Sequence, residues 1–135
     1  MKVLKYAPLA LLAACGGASV VEPSDINNQK VFFAFDSSEV SAEAKNNLLG
    51  QSLYLKNHAD TKVQIAGNCD ERGTAEYNLA LGARRANAAK AVIVKDGVAA
   101  ARVKTISYGK DRPAVSGTGE SVWKQNRNAT TTAAK

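Results

Sequence analysis

Metal-binding and disulfide-forming residues are scarce in this chain, which has 2 cysteines and 1 histidine. Two cysteines cannot build a disulfide scaffold, and with a single histidine a Cys/His zinc cluster is excluded. No run approaches the ~20 apolar residues that a bilayer-spanning helix needs. What is present is a hydrophobic fraction of 45%, too high for a wholly disordered chain. A length of 135 residues suits one domain with a moderate core, not two.

The start is basic, with Lys2 and Lys5, and Tyr6 to Ala14 is almost purely apolar, ending in Leu12-Ala13-Ala14-Cys15. A charged beginning, a short apolar run and small residues before a break form the pattern of a secretory signal peptide over residues 1–14. Pro8, the two lysines and Gly16-Gly17 argue against a buried helix here. The Leu-Ala-Ala-Cys string resembles the bacterial lipoprotein box, which implies cleavage before Cys15 and its acylation, palmitate included. Gly16 in place of an aspartate favours sorting to the outer membrane. Cleavage removes two lysines and lowers the net charge from +6 to +4. One acyl chain anchors weakly, so a durable anchor needs at least two. Cys69 is then left without a partner.

Residues 15–29, with Gly, Ser, Pro and Asn and no period, read as a short tether. The aromatic run Val31–Phe35, bounded by Asp36-Ser37-Ser38, predicts a strand. Ser41 is a helix cap with Glu43 in the first turn, and Leu48, Leu49 and Leu55 supply an apolar side through about Asn57. Lys62–Ala66 alternates as a half-buried strand. Beyond the loop Asn68–Thr74, a helical stretch reaches Lys95 and stops at Asp96-Gly97. Gly82 interrupts it. Glycine costs about 1 kcal/mol inside a helix relative to alanine but is acceptable as an N-cap, so Thr74–Leu81 reads as a turn or short irregular helix before a firmer helix from Ala83 to Lys95. Val103–Tyr108 reads as a third strand, Glu120–Asn126 as a short helix, and Asn128–Ala133 as a weak, Thr-rich last strand. The order βαβαβ(α)β predicts a two-layer α/β (α+β) sandwich, a mixed four-stranded sheet with helices on one face.

The charged turn Gly67–Thr74 follows a predicted strand, where α/β folds present binding groups. Arg84-Arg85 would oppose the macrodipole if the helix began at Ala83, so an anion there would compensate. The competing reading, which spacing alone favours, places Gly82 mid-helix with both arginines facing water.

The segment Gly67-Asn68-Cys69-Asp70-Glu71-Arg72-Gly73-Thr74-Ala75-Glu76-Tyr77-Asn78-Leu79-Ala80-Leu81-Gly82-Ala83-Arg84-Arg85-Ala86 resembles the signature of peptidoglycan-associated lipoproteins, within the wider OmpA C-terminal-like domain family. Val31–Ser38, Ser107–Val115 and Asn126-Arg127 are similar to other blocks of that family, in order. The resemblance implies a peptidoglycan-binding domain over residues 30–135. Its ligand would be the free end of meso-diaminopimelate in the peptide stem, which carries an ammonium and a carboxylate on one carbon. Asp70 would take the ammonium and Arg85 the carboxylate, in bidentate fashion. Backbone N–H groups near Asn78 and Leu81, Gly82 and Ala83 would share the anion, Asp36 and Arg72 would line the groove, and Gly82 would start the helix. The resemblance also implies docking to Tol proteins such as TolB and a role in envelope constriction at division, with no enzymatic activity, cofactor or metal.

Four features depart from the family pattern. Asn68 stands where histidine is common, Ala83 replaces an acidic residue, the tether is short, and the tail after Arg127 lacks a second basic residue and large apolar groups. A triad of Cys69, His58 and Asp70 is disfavoured, because a reactive thiolate wants cationic neighbours. Residues 84–135 hold 11 basic and 3 acidic groups, a patch that could attract polyanions. Those basic residues are mostly isolated, however, and Gly67 and Gly73-Thr74 do not form a phosphate loop, so no nucleic-acid partner is expected. The reading from another class is a protein-docking module of the same fold without peptidoglycan binding.

Overall fold

A computed structural model describes residues 19–134. The leader, Cys15 and the first residues of the expected tether lie outside the described residues. The elements are β1 (Gln29–Phe32), α1 (Ala42–Asn57), β2 (Val63–Asn68), α2 (Ala75–Lys95), β3 (Val103–Gly109), α3 (Glu120–Asn126) and β4 (Asn128–Ala133), with one 3-10 turn at Ala100–Arg102. The sheet order is β1-β4-β2-β3. Strand β4 is antiparallel to both its neighbours, whereas β2 and β3 are parallel, joined by the α2 crossover. The expected mixed sheet of four strands is present.

Alternation along the strands divides the sheet into two faces. Val31, Val63, Ile65, Val103 and Ala129 point into one core with Leu48 and Leu55 of α1 and Ala86, Ala89 and Ile93 of α2. Ser41 caps α1, its Oγ accepting from the Ala44 N–H at 3.1 Å. At the other end of α1, Arg102 donates to the carbonyls of Leu55, His58 and Thr61, satisfying groups that a helix end leaves free.

Three expectations are revised. Strand β1 begins earlier and ends at Phe32, and Phe35 is an exposed loop residue. Helix α2 is continuous from Ala75, so Gly82 is neither a cap nor a break. Its role is contact. A Cβ on Gly82 would lie 2.3 Å from Ser107 Oγ, and one on Gly67 would lie 1.7 Å from the Gly82 carbonyl oxygen. The helix therefore crosses β2 backbone to backbone, which no side chain at either position permits. Third, the weak last strand is an interior one, paired on both edges. Its order comes from two hydrogen-bonded ladders, not from apolar bulk. Its core-facing side chains are small, and Thr131 donates to Gln51 Oε1 at 2.6 Å.

The segment expected as a tether is partly seated on the domain. Ile26 is buried in the core, Asn57 donates to Glu22 Oε1 at 2.8 Å, and the Ala133 N–H donates to Asn27 Oδ1 at 2.7 Å.

Candidate functional site

The C-terminal end of β2 delivers Cys69 and Asp70 into a cleft of about 100 Å³. The 33–38 loop forms one wall, with Phe35 and Asp36, and the first three turns of α2 form the other. Thr74 starts that helix, its Oγ1 accepting from the Tyr77 N–H at 3.1 Å. Because α2 is continuous, Tyr77, Leu81 and Arg85 fall four residues apart and share one face, and all three line the cleft.

Arg85 is 1% exposed. Its guanidinium donates to three main-chain carbonyls: Nε to Ser37 at 2.8 Å, Nη1 to Asn68 at 2.9 Å and Nη2 to Ala34 at 3.0 Å. These bonds lock the 34–37 loop against the end of β2. An arginine has five N–H donors, so two remain for a ligand. No carboxylate lies within ion-pair distance of Arg85 among the described residues. Burial pulls its pKa down from the ordinary arginine value, with the Asp70 charge among the influences opposing it, and the group stays cationic.

Asp70 is also buried, and its closest partner is Arg72. Oδ1 accepts from the Arg72 N–H at 3.0 Å and from Nε at 3.2 Å, and Oδ2 accepts from Nη2 at 2.7 Å. Arg127 Nη1 lies 3.6 Å from Oδ2 and forms a bidentate pair with Glu120. The Arg72 guanidinium sits between two rings, 3.9 Å from the Phe35 centroid and 4.0 Å from that of Trp123, a stacking that suits its planar fork. A carboxylate offers about four lone-pair sites. Three go to Arg72, and one is left.

Burial works to raise the Asp70 pKa, but the Arg72 hydrogen bonds and the Arg72 and Arg127 charges outweigh it and hold the carboxyl below the usual aspartate range. A depressed folded pKa contributes stability that is complete above the unfolded value of about 3.9 and is lost as pH falls through the folded value. Asp70→Asn is therefore expected to lower the urea midpoint near neutrality and to flatten its decline below about pH 4. A decline as steep as in the wild type would show that the arginines do not hold this carboxylate.

Of the residues expected at the site, Asp70, Arg85, Asp36, Arg72, Asn78 and Leu81 line one cleft. Gly82 and Ala83 do not. Both lie inside α2, where their N–H groups serve the helix ladder,, and Gly82 is pressed against β2 instead. The Asn78 N–H is likewise committed, to the Thr74 carbonyl at 3.1 Å. Its side chain donates to the Arg72 and Thr74 carbonyls, fixing the charged turn. Arg84 is exposed and Arg85 is not, so the arginine pair divides in a way that neither reading from spacing anticipated.

Tyr77, whose hydroxyl donates to Asp36 Oδ1, and Trp123, which donates to Glu71 Oε2 at 2.7 Å, are additions to the site. The spacing of eight from Tyr77 to Arg85, two steps of four through Leu81, could have revealed the first,. Nothing local reveals the second, 51 positions beyond Arg72. Cys69 is buried, its thiol donating to the Asn78 carbonyl at 3.2 Å, and burial raises its pKa. His58 follows α1, stacked on Tyr54, beside the start of β2 and about 20 Å of strand from Cys69.

The fold and the cleft together define a small α/β domain with an ion-lined site at the strand ends. The chain belongs to the OmpA family, whose profile matches residues 32–127. It is 50% identical over 103 residues to the peptidoglycan-associated lipoprotein of Mesorhizobium japonicum, covering 76% of this chain and 61% of that protein. It is 40% identical to the peptidoglycan-associated lipoprotein of Pasteurella multocida, covering 95% of this chain and 94% of that one. The crystal structure of the peptidoglycan-associated lipoprotein from Burkholderia pseudomallei matches with a TM-score of 0.76 at 40% identity, over 78% of this chain and 90% of that one. The C-terminal domain of Helicobacter pylori MotB, with a TM-score of 0.73 at 15% identity, shares the fold.

Proposed function

We propose that the cleft binds the free end of meso-diaminopimelate in the peptide stem of peptidoglycan, and that the protein holds the outer membrane to the cell wall without catalysing a reaction. The observation that carries this reading is Arg85: a buried cation lining an open cleft, with two spare donors and, among the described residues, no carboxylate partner. A buried charge without a counterion is costly, and a ligand carboxylate supplies one. The fourth lone-pair site of Asp70 takes an N–H of the adjacent ammonium, and Asp36 adds a second carboxylate at the rim. Backbone N–H groups of residues 78 and 81–83 have no part in this version of the clamp.

The anchor would be acylated Cys15, after removal of residues 1–14, in the outer membrane and facing the periplasm. No helix among the described residues is long and apolar enough to cross a membrane. The names of the relatives support association with the wall. Docking to Tol proteins such as TolB, and a role in envelope constriction, extend the same reading.

Co-sedimentation with purified sacculi tests it. Wild type is expected in the pellet, and Asp70→Ala and Arg85→Ala in the supernatant with their far-UV circular dichroism retained. Equal pelleting of all three would reject the ionic clamp, whereas failure of the wild type to pellet would make the domain a docking module. Cys15→Ser is expected to release the protein from membranes, and continued membrane fractionation would reject the acyl anchor.

A further inference from the structure

Helices cover one face of the sheet, and the other carries a trough of about 340 Å³. Its floor is made of the outward side chains of the central strands, Gln64 and Asn68 of β2 and Asn128 and Thr130 of β4. Lys30 of β1 and Arg112, stacked 3.9 Å from the Tyr108 ring of β3, stand at its two edges. Those edges are three strand spacings, or about 14 Å, apart. Among the described residues no carboxylate lines the trough. Asn68 is 8% exposed, and its Nδ2 donates to Asn128 Oδ1 at 2.9 Å, but its Oδ1 has no donor among the described residues. Buried polar atoms are nearly always paired, so this oxygen marks the trough as incomplete.

We propose that this face is a second binding site, for the glycan backbone of the wall where its peptides have been removed. The inference rests on the wall-binding reading above. Such strands present hydroxyl and acetamido groups, which donate and accept as the amide and hydroxyl floor requires, and a lactyl carboxylate on each muramic acid freed of its peptide. Lys30 and Arg112 meet the carboxylates, and a glycan O–H or N–H serves Asn68. The two sites share one residue, because the Asn68 main-chain carbonyl accepts from Arg85 Nη1 inside the cleft while its side chain lines the trough. One polymer can therefore run from stem to bare glycan past the end of β2.

The test is fluorescence anisotropy of labelled, amidase-treated glycan strands with the full chain in detergent. Saturable binding is expected, undisturbed by excess stem tripeptide. Lys30→Ala/Arg112→Ala should weaken it about tenfold or more, with binding of the tripeptide retained. Gln64→Leu/Thr130→Val, which leaves the charge unchanged, should also weaken it. Absence of binding, equal binding by either double variant, displacement by the tripeptide, or equal affinity for polyglutamate would each overturn the proposal. Failure of the cleft reading shows separately, as loss of tripeptide binding by the wild type.

Discussion

Arg85→Lys is expected to weaken binding of a diaminopimelate-ended stem peptide by 10- to 100-fold, roughly the 1.5–3 kcal/mol of hydrogen bonding to a charged group. Lysine keeps the charge but has three donors on one point. It cannot serve the carbonyls of Ala34, Ser37 and Asn68, which diverge around the guanidinium, and still grip a carboxylate. Arg85→Ala removes the charge and leaves those carbonyls unpaired, so it should abolish binding and lower the melting temperature as well. Comparison of the two separates the clamp from the scaffold. Titration calorimetry gives the affinity and thermal denaturation the stability. If Arg85→Lys binds as tightly as wild type, fork geometry is not what recognises the ligand.

Gly67→Ala should be among the most damaging single substitutions outside the cleft. Its added Cβ would lie 1.7 Å from a main-chain oxygen of α2, which cannot rotate away as a side chain can. Overpacking of this kind costs about 1–3 kcal/mol and occasionally more, and backbone contact places it at the upper end. For a domain of this size that is a fall of roughly 10 °C or more in Tm. Gly82→Ala should cost less, since it gains about 1 kcal/mol of helix propensity and meets the Ser107 side-chain Oγ at 2.3 Å and the Gly67 carbonyl oxygen only at 2.9 Å. Ser107 is not free to yield completely, as its hydroxyl donates to the Leu79 carbonyl at 2.7 Å. A Gly67→Ala protein as stable as wild type would mean that helix and strand do not meet in this way.

These glycines also show where sequence stops being informative. Local signals were legible: the Ser41 cap, the alternation from Val63 to Ala66, the stop at Asp96-Gly97 and the short helix before Arg127 all depend on neighbours within one turn. Gly82 lies mid-helix, as the spacing of the arginines favours and against the helix start that the resemblance implies, and the cause of the glycine is a contact with Gly67, 15 residues earlier and in another element. Strand β4 looked weak because its stability resides in main-chain ladders on both edges, which side-chain hydrophobicity does not report. At the cleft, Asp70 and Arg85 were legible as charges and, through the family resemblance, as a pair. Their real partners were not. Arg85 donates to carbonyls 48, 51 and 17 positions away, Asp70 accepts from an arginine two residues on, and Arg127 reaches the Phe33 carbonyl across 94 positions.

If the buried Arg85 takes a carboxylate that stands beside an ammonium, one substitution in the ligand reveals it. Titration calorimetry should compare a stem tripeptide ending in meso-diaminopimelate with the same peptide ending in lysine, which keeps the ammonium and lacks only the carboxylate. At least about tenfold tighter binding of the diaminopimelate peptide is expected, with the difference vanishing in Arg85→Ala. Equal affinity of the wild type for the two peptides would contradict that role of Arg85.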